Sequence, residues 1–178
     1  MKKIKKILAA NRSEIAIRIF RAAEESGIRT AAIYSKEDRF ALHRFKTDES
    51  YLVGEGKGPI QAYLDIDSII DIAKKAGVDA IHPGYGFLSE NPDLADQCEK
   101  NNIIFIGPTK EILNRLGNKT AAKEVADEAG VNTIPSVKVN KENKKTIQDE
   151  VNKIGYPVIV KASWGGGGRG MRVVRSAD

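Results

Sequence analysis

The sequence has 178 residues, enough for one medium-sized domain or for one domain and part of another. It is 41% hydrophobic and 30% charged, and no apolar run approaches the roughly 20 residues that a membrane-spanning helix needs. The net charge of +5 comes from lysines and arginines spread along the chain beside acidic residues, which disfavours a nucleic-acid-binding protein. The single cysteine, Cys98, cannot form an internal disulfide, and we expect a soluble protein of the cytoplasm.

Short apolar runs rich in β-branched residues alternate with helical patterns over the first two thirds of the chain. Strands that alternate with helices predict an α/β fold, with a parallel sheet covered on both faces. Asn91-Pro92 is typical of a helix start, and several helical stretches end at a glycine. The predicted strands are 4–10, 30–34, 51–53, 80–82 and 103–106, and the predicted helices are 14–26, 67–76 and 92–101.

The pattern changes after Gly107-Pro108, where two helical segments follow each other directly. We place a domain boundary near residue 116, so that residues 1–116 form one domain and residues 117–178 begin a second. The final apolar runs predict a β-hairpin. The predicted helices of this part are 109–117, 119–129 and 144–154, and the predicted strands are 134–139, 156–162 and 171–175.

A glycine run, Gly165–Gly168, connects the two strands of that hairpin and lies between Lys161 and Arg169. Glycine N–H groups can approach an anion closely, and the flanking cations add positive charge. The run lacks the Lys-Ser or Lys-Thr pair and the helix of a Walker loop, and it does not open a helix as a dinucleotide fingerprint does. It predicts a phosphate-binding lid, with a flexible hairpin tip as the alternative.

Two segments follow strands at the carboxyl edge of the predicted sheet, where open α/β folds bind ligands. The first, 82–91, combines a histidine, two glycines, Tyr85 and Glu90. The second, 11–14, contains Asn11 and Ser13, whose alternative role is to cap the following helix. We expect a structural hydrogen bond from His82, and the spacing of histidine and cysteine indicates no metal site.

Four motifs occur together and in order: ANRSEIA at 10–16, HPGYGFLSEN at 82–91, FIGP at 105–108 and KASWGGGGRGM at 161–171. In this combination the whole chain resembles biotin carboxylase, of the ATP-grasp superfamily. The resemblance implies a Rossmann-like N-terminal domain followed by the start of an ATP-grasp domain. It also implies that ATP and bicarbonate form carboxyphosphate, whose CO2 passes to a biotin carried on another domain.

The resemblance implies roles for individual residues. The nucleotide would be bound by Lys119, Lys161, Gly165, Gly166, Gly167, Gly168, Arg169 and Met171. Biotin would face Tyr85, Gly84, Gly86 and Glu90, and subunits would pair through Arg18, Arg21 and Glu25, so that a homo-oligomer is expected. The family's Mg²⁺ ligands and bicarbonate-binding groups would lie beyond Asp178. We therefore expect no catalytic residue within this chain, and no activity from the chain alone.

Within the family, residues 41–51, residues 58–60 and Trp164 resemble pyruvate carboxylase more than the biotin carboxylase subunit of acetyl-CoA carboxylase. Pyruvate carboxylase transfers the carboxyl group to pyruvate and yields oxaloacetate, an anaplerotic step. Two residues depart from the commonest family pattern, Ser13 where glycine is usual and Asn118 where aspartate is usual. An acyl-CoA carboxylase subunit and a non-catalytic nucleotide-binding or partner module remain alternatives.

Overall fold

The computed structural model describes residues 3–140, 143, 146–162 and 170–177. The chain forms two compact units, Met1–Leu113 and Asn114–Asp178. Within the described residues, no helix is both long enough and apolar enough to cross a membrane.

The first unit is built on a sheet of five parallel strands in the order β3-β2-β1-β4-β5. Every strand that the sequence predicted here is present, with ends shifted by at most two residues. The strand order reverses between β1 and β4, which leaves a crevice at their carboxyl ends. The strands are β1 Lys6–Ala9, β2 Arg29–Tyr34, β3 Glu49–Leu52, β4 Ala80–His82 and β5 Ile104–Phe105.

Helices cover both faces of this sheet, as the alternating pattern predicted. Successive residues of β1 point to opposite faces, so Leu8 packs in the cluster that contains residues of α3 and α4, whereas Ile7 packs with Ala23 of α1. A 3-10 helix, Leu42–Phe45, and the short helix α2 were not predicted from the sequence. The helices of this unit are α1 Ser13–Glu25, α2 Pro59–Tyr63, α3 Ile66–Ala76 and α4 Pro92–Lys100, and α5 Lys110–Gly117 spans the division between the units.

The second unit contains helices α6 Lys119–Glu128 and α7 Ile147–Ile154 and strands β6 Val158–Val160 and β7 Arg172–Val174. The two strands pair antiparallel, which confirms the predicted hairpin. The predicted strand over 134–139 is wrong, because residues 131–140 contain no strand. An apolar β-branched pattern forms a strand only where a neighbour supplies ladder hydrogen bonds, and Ile134 is instead 86% exposed.

Asparagine side chains cap the starts of α4 and α6. The Asn91 Oδ1 accepts hydrogen bonds from the N–H groups of Asp93 and Leu94 at the start of α4, as the Asn91-Pro92 pair predicted. Asn118 Oδ1 accepts from Thr120 N–H at 2.9 Å and Ala121 N–H at 3.2 Å at the start of α6. The asparagine that replaces the usual aspartate at 118 therefore still caps its helix.

Candidate active site at the carboxyl ends of the central strands

An open cleft of about 420 Å³ lies in the crevice at the carboxyl ends of β1 and β4. Its walls come from the segment that follows β1, residues 11–15, and from the loop that follows β4, residues 85–87. Open parallel sheets bind ligands where the strand order reverses, and this cleft lies at that point. Two candidate segments that are about 70 residues apart in the sequence thus form one site.

Asn11 is fully buried and joins these two segments. Its Nδ2 donates hydrogen bonds to the carbonyl oxygens of Pro83, at 2.7 Å, and Tyr85, at 3.0 Å. The predicted capping role for Asn11 and Ser13 is wrong, because Arg12 occupies the N-cap of α1 and no side chain caps this helix. The Asn11 amide is instead directed at two loop carbonyls, and its bond to Pro83 is buried, where a carbonyl needs a protein donor in place of water.

A second chain of contacts connects the same two segments through the turn that follows β2 and through α2. Arg12 forms a two-point ion pair with Asp38, with both N–O distances at 2.5 Å. The hydroxyl of Tyr63 donates to Asp38 Oδ2 at 2.7 Å, and its ring stacks on Phe87 with centroids 5.1 Å apart. Hydrogen bonds from Arg12 hold the pKa of Asp38 below its usual value, while burial raises the pKa of Tyr63 and keeps its phenol a neutral donor.

Tyr85 lines the cleft and is 64% exposed. Its hydroxyl is 3.4 Å from Glu14 Oε2, and the other oxygen of Glu14 accepts from Arg18 Nη1 at 3.3 Å. Gly86 lines the cleft beside it, whereas Gly84 and the exposed Glu90 belong to the same loop but do not line the cleft. The structure therefore brings Tyr85 and Gly86 together in the cleft and leaves Glu90 at its margin.

His82 has a structural contact, as expected from the sequence. Its Nδ1 accepts a hydrogen bond from Gly84 N–H at 3.0 Å, and burial lowers the pKa of the ring. His43 is fully buried, its Nε2 contacts the carbonyl oxygen of Ile33 at 3.1 Å, and its pKa is lowered by burial. In the part of the chain that the structure describes, no group of three or more histidine, cysteine, aspartate or glutamate side chains is arranged to hold a metal ion.

The nucleotide candidates lie in the second unit. Lys119 is the first residue of α6. Lys161 comes directly after β6 and Met171 directly before β7, so the two residues flank the connection between the strands of the hairpin. Because Val160 pairs with Arg172, Lys161 and Met171 lie at the same end of the hairpin, where the glycine run connects the strands. Gly165, Gly166, Gly167, Gly168 and Arg169 lie outside the described residues. The described part thus places Lys161 and Met171 at one end of the hairpin, and the phosphate lid stays a prediction.

The proposed subunit-pairing residues lie on α1. Arg18, Arg21 and Glu25 are exposed, and their spacing of three and four residues places them on one side of the helix. Arg18 also lines an apolar groove of about 410 Å³, together with Ile4, Ile19 and Ile106 among others.

Comparison with known proteins identifies the family. A sequence profile for the N-terminal domain of biotin carboxylase matches residues 3–113. The chain belongs to the biotin carboxylase family. Residues 118–178 match the profile of the ATP binding domain of the carbamoyl-phosphate synthase L chain. The predicted fold, a biotin carboxylase N-terminal domain followed by the start of an ATP-grasp domain, is confirmed.

Three similar proteins illustrate how this biotin carboxylase chain relates to longer enzymes. The pyruvate carboxylase of Bacillus subtilis (strain 168) is 59% identical over 173 residues, which are 97% of this chain and 15% of the relative. A structure of Rhizobium etli pyruvate carboxylase T882A with the allosteric activator acetyl coenzyme-A has 55% identity and a TM-score of 0.90, covering 98% of this chain and 16% of that one.

The third is the biotin carboxylase domain dimer of the Hydrogenobacter thermophilus 2-oxoglutarate carboxylase, in complex with MgADP, ADP and bicarbonate. It has 44% identity and a TM-score of 0.92, covering 99% of this chain and 39% of that one. The chain thus spans about 15% of the length of the curated pyruvate carboxylase that it matches.

Sequence reasoning missed Asp38 and Tyr63. Asp38 follows β2, the strand next to β1, so it lies at the same sheet edge as Arg12. Opposite charges a few residues after neighbouring parallel strands were the signal that could have indicated this ion pair. The sequence gives no comparable signal for Tyr63, because its contact depends on α2.

Proposed function

We propose that this chain is the N-terminal part of the biotin carboxylase component of a pyruvate carboxylase. The 59% identity with the Bacillus subtilis enzyme over 97% of this chain carries the proposal. In the whole protein, ATP and bicarbonate would serve to carboxylate a biotin on a separate carrier domain, and the carboxyl group would pass to pyruvate to give oxaloacetate. We place the enzyme in the cytoplasm and expect a homo-oligomer that pairs through Arg18, Arg21 and Glu25.

The nucleotide side of this reaction would use the second unit. Lys119 and Lys161 would supply positive charge for the phosphates, and the glycine run Gly165–Gly168 would supply the backbone N–H groups of a phosphate lid. Bound Mg²⁺ neutralises negative charge on the phosphates, and we place its carboxylate ligands outside these 178 residues. On this proposal the chain positions the nucleotide but lacks the groups that complete phosphoryl transfer.

The biotin side would use the cleft of the first unit. Ile15 and Phe87 give the cleft apolar walls, and the Tyr85 hydroxyl gives its mouth a polar group. An apolar surface with a few directed polar groups suits a fused-ring cofactor that carries a ureido group. Tyr85 and Gly86 would contact the ring directly, with Gly84 and Glu90 shaping the loop around it.

Isothermal titration with MgATP tests the nucleotide site on this chain. We expect weak binding that is lost in Lys161→Ala, because the ammonium group beside the phosphates is removed, and no bicarbonate-dependent ATP hydrolysis. Lys153→Ala, an exposed lysine of α7 in the same unit, is the matched control and should bind as the wild type does. Equal binding by both variants would contradict the nucleotide site, and robust hydrolysis would contradict the inactivity of the isolated chain.

The molecule that accepts the carboxyl group needs a separate experiment, because the biotin carboxylase domain of a 2-oxoglutarate carboxylase has the same fold, with a TM-score of 0.92. Carboxylation of pyruvate, 2-oxoglutarate and acetyl-CoA would be compared in the full-length protein that carries this chain, with labelled bicarbonate as the carbon source. We expect label in oxaloacetate. Label in the product of another acceptor would refute the pyruvate assignment while leaving the biotin carboxylase assignment intact.

A further inference from the structure

The loop that carries Tyr85 has an unusual backbone. Gly84, Gly86 and Phe87 have φ angles of 67°, 71° and 40°, so three of the four residues from 84 to 87 are in the left-handed region. Left-handed residues break the regular hydrogen-bonding pattern of the chain, and the carbonyl groups of such a loop need other partners. The conformation of this loop therefore depends on contacts from outside it.

Asn11 supplies those contacts at the start of the loop. One amide nitrogen, Nδ2, donates to the carbonyl oxygens on both sides of Gly84, those of Pro83 and Tyr85, at 2.7 and 3.0 Å. Asn11 is 0% exposed, and its bond to the Pro83 carbonyl is buried, so water does not compete for that bond. The backbone packs directly on the amide, because a Cβ on Gly84 would lie 2.7 Å from Asn11 Nδ2.

The neighbouring residue supports the other end of the loop. Arg12 pairs with Asp38, Asp38 accepts from the Tyr63 hydroxyl, and the Tyr63 ring stacks on Phe87 with an interplanar angle of 14°. The Tyr85 side chain itself makes a longer contact, 3.4 Å from its hydroxyl to Glu14. The position of Tyr85 is thus determined mainly through its backbone.

We propose that Asn11 is a positioning residue that fixes the backbone of Tyr85 through the Pro83 and Tyr85 carbonyls, and so sets the biotin-facing side of the cleft. This inference rests on the proposed function, which makes Tyr85 the residue that faces biotin. Asn11 is fully buried with its amide on the loop carbonyls, so on this proposal it acts on the substrate through the loop. Its loss should weaken the use of biotin and leave the use of ATP unchanged.

Hydrogen exchange on this chain tests the structural half of the inference. The reporters are the amides of Gly84, which donates to His82 Nδ1, and Ser89, which donates to the Gly86 carbonyl. In Asn11→Ala, and in the milder Asn11→Ser, we expect both amides to exchange about tenfold faster relative to sheet amides such as that of Leu8, because each variant leaves loop carbonyls unpaired.

The matched control is Asn101→Ser. It also removes an Asn Nδ2 bond to a backbone carbonyl, that of Gln97 at 2.8 Å, but at the far end of α4. It should leave exchange at Gly84 and Ser89 unchanged. Wild-type exchange at both reporters in folded Asn11→Ser would overturn the inference.

Kinetics of the full-length carboxylase test the functional half, with free biotin as the probe. We expect Asn11→Ser to raise the KM for free biotin about tenfold and to keep the KM for ATP within about twofold, since a displaced contact group affects the substrate it touches. Asn101→Ser should match the wild type in both.

The two possible failures are distinguishable. A wild-type enzyme without bicarbonate-dependent ATP cleavage would overturn the proposed function and, with it, the biotin role of the loop. An active wild type and an Asn11→Ser variant with unchanged KM for biotin would overturn the positioning role of Asn11 alone. Equal increases in the KM for biotin and for ATP would also overturn it, because general loosening of the enzyme would account for them.

Discussion

Gly84 and Gly86 lie two residues apart in the Tyr85 loop, and both have positive φ angles, yet their surroundings differ. A Cβ on Gly84 would lie 2.5 Å from the Ile15 side chain, whereas a Cβ on Gly86 would meet nothing within 4 Å. Both positions need a left-handed backbone, which costs a non-glycine residue about 1 kcal/mol or slightly more. Gly84 additionally requires the absence of a side chain.

Alanine substitutions at these two glycines give a prediction in which each variant serves as the control for the other. We expect Gly84→Ala to lower the free energy of unfolding by about 2–4 kcal/mol, the sum of backbone strain and overpacking, and Gly86→Ala to lower it by about 1 kcal/mol from strain alone. Urea denaturation of the two variants measures both losses. Equal losses would mean that the loop does not pack on Ile15 and Asn11 as described.

The role of Asn11 shows why residue-level prediction from the sequence was incomplete. An asparagine between a strand and a helix has the same local pattern whether it caps the helix or donates across the sheet edge. The choice depends on Pro83 and Tyr85, which are more than 70 residues away in the sequence. By contrast, the capping role of Asn91 was predictable because its partners, Asp93 and Leu94, are local.

The start of α1 shows how one residue and one element are coupled. Ser13 is the first residue of this helix and has a φ angle of 51°, a left-handed conformation that favours glycine. The family pattern noted from the sequence has glycine at this position. The exposed serine therefore retains the turn at a cost in backbone strain.

Ser13→Gly should stabilise the protein. Removing left-handed strain gains about 1–2 kcal/mol, and the extra freedom of glycine in the unfolded chain costs about 0.5–1 kcal/mol, so we expect a net gain of about 0.5–1 kcal/mol. Ser26→Gly, at the other end of α1 with a φ angle of −91°, has no such strain to relieve and should destabilise. Thermal melting of both variants measures the difference in stability. A loss of stability in Ser13→Gly would show that the backbone of Ser13 is not strained.

Elements with a repeated apolar pattern were predictable, and elements formed by tertiary contact were not. Helices α1, α3 and α4 each carry buried residues at helical spacing, which the sequence displays directly. Helix α2 has five residues, and it packs so closely that a Cβ on Gly54 would lie 2.4 Å from Ala62 Cα. No local pattern reveals that contact. The segment 134–139 shows the converse, a strand-like pattern without the partner that a strand requires.

Over the whole molecule, burial differs sharply between the two units. All buried residues in the described part of the chain lie at or before Leu113. The second unit exposes apolar side chains instead, including Val131, Ile159 and Val173, each more than 50% exposed. A unit without buried apolar side chains has little hydrophobic stabilisation to oppose local opening.

Limited proteolysis tests this contrast together with the predicted boundary near residue 116. At a low ratio of trypsin to protein, we expect the first cuts within the second unit, at sites such as Lys123 or Lys153, because its backbone opens at little free-energy cost. Lys57, an exposed lysine in a loop of the first unit, provides the internal comparison and should be cut later. Mass spectrometry would then show a resistant fragment that ends within α5, Lys110–Gly117. Equal rates on both sides of α5 would show that the second unit is as stable as the first, and the predicted boundary would lose its physical basis.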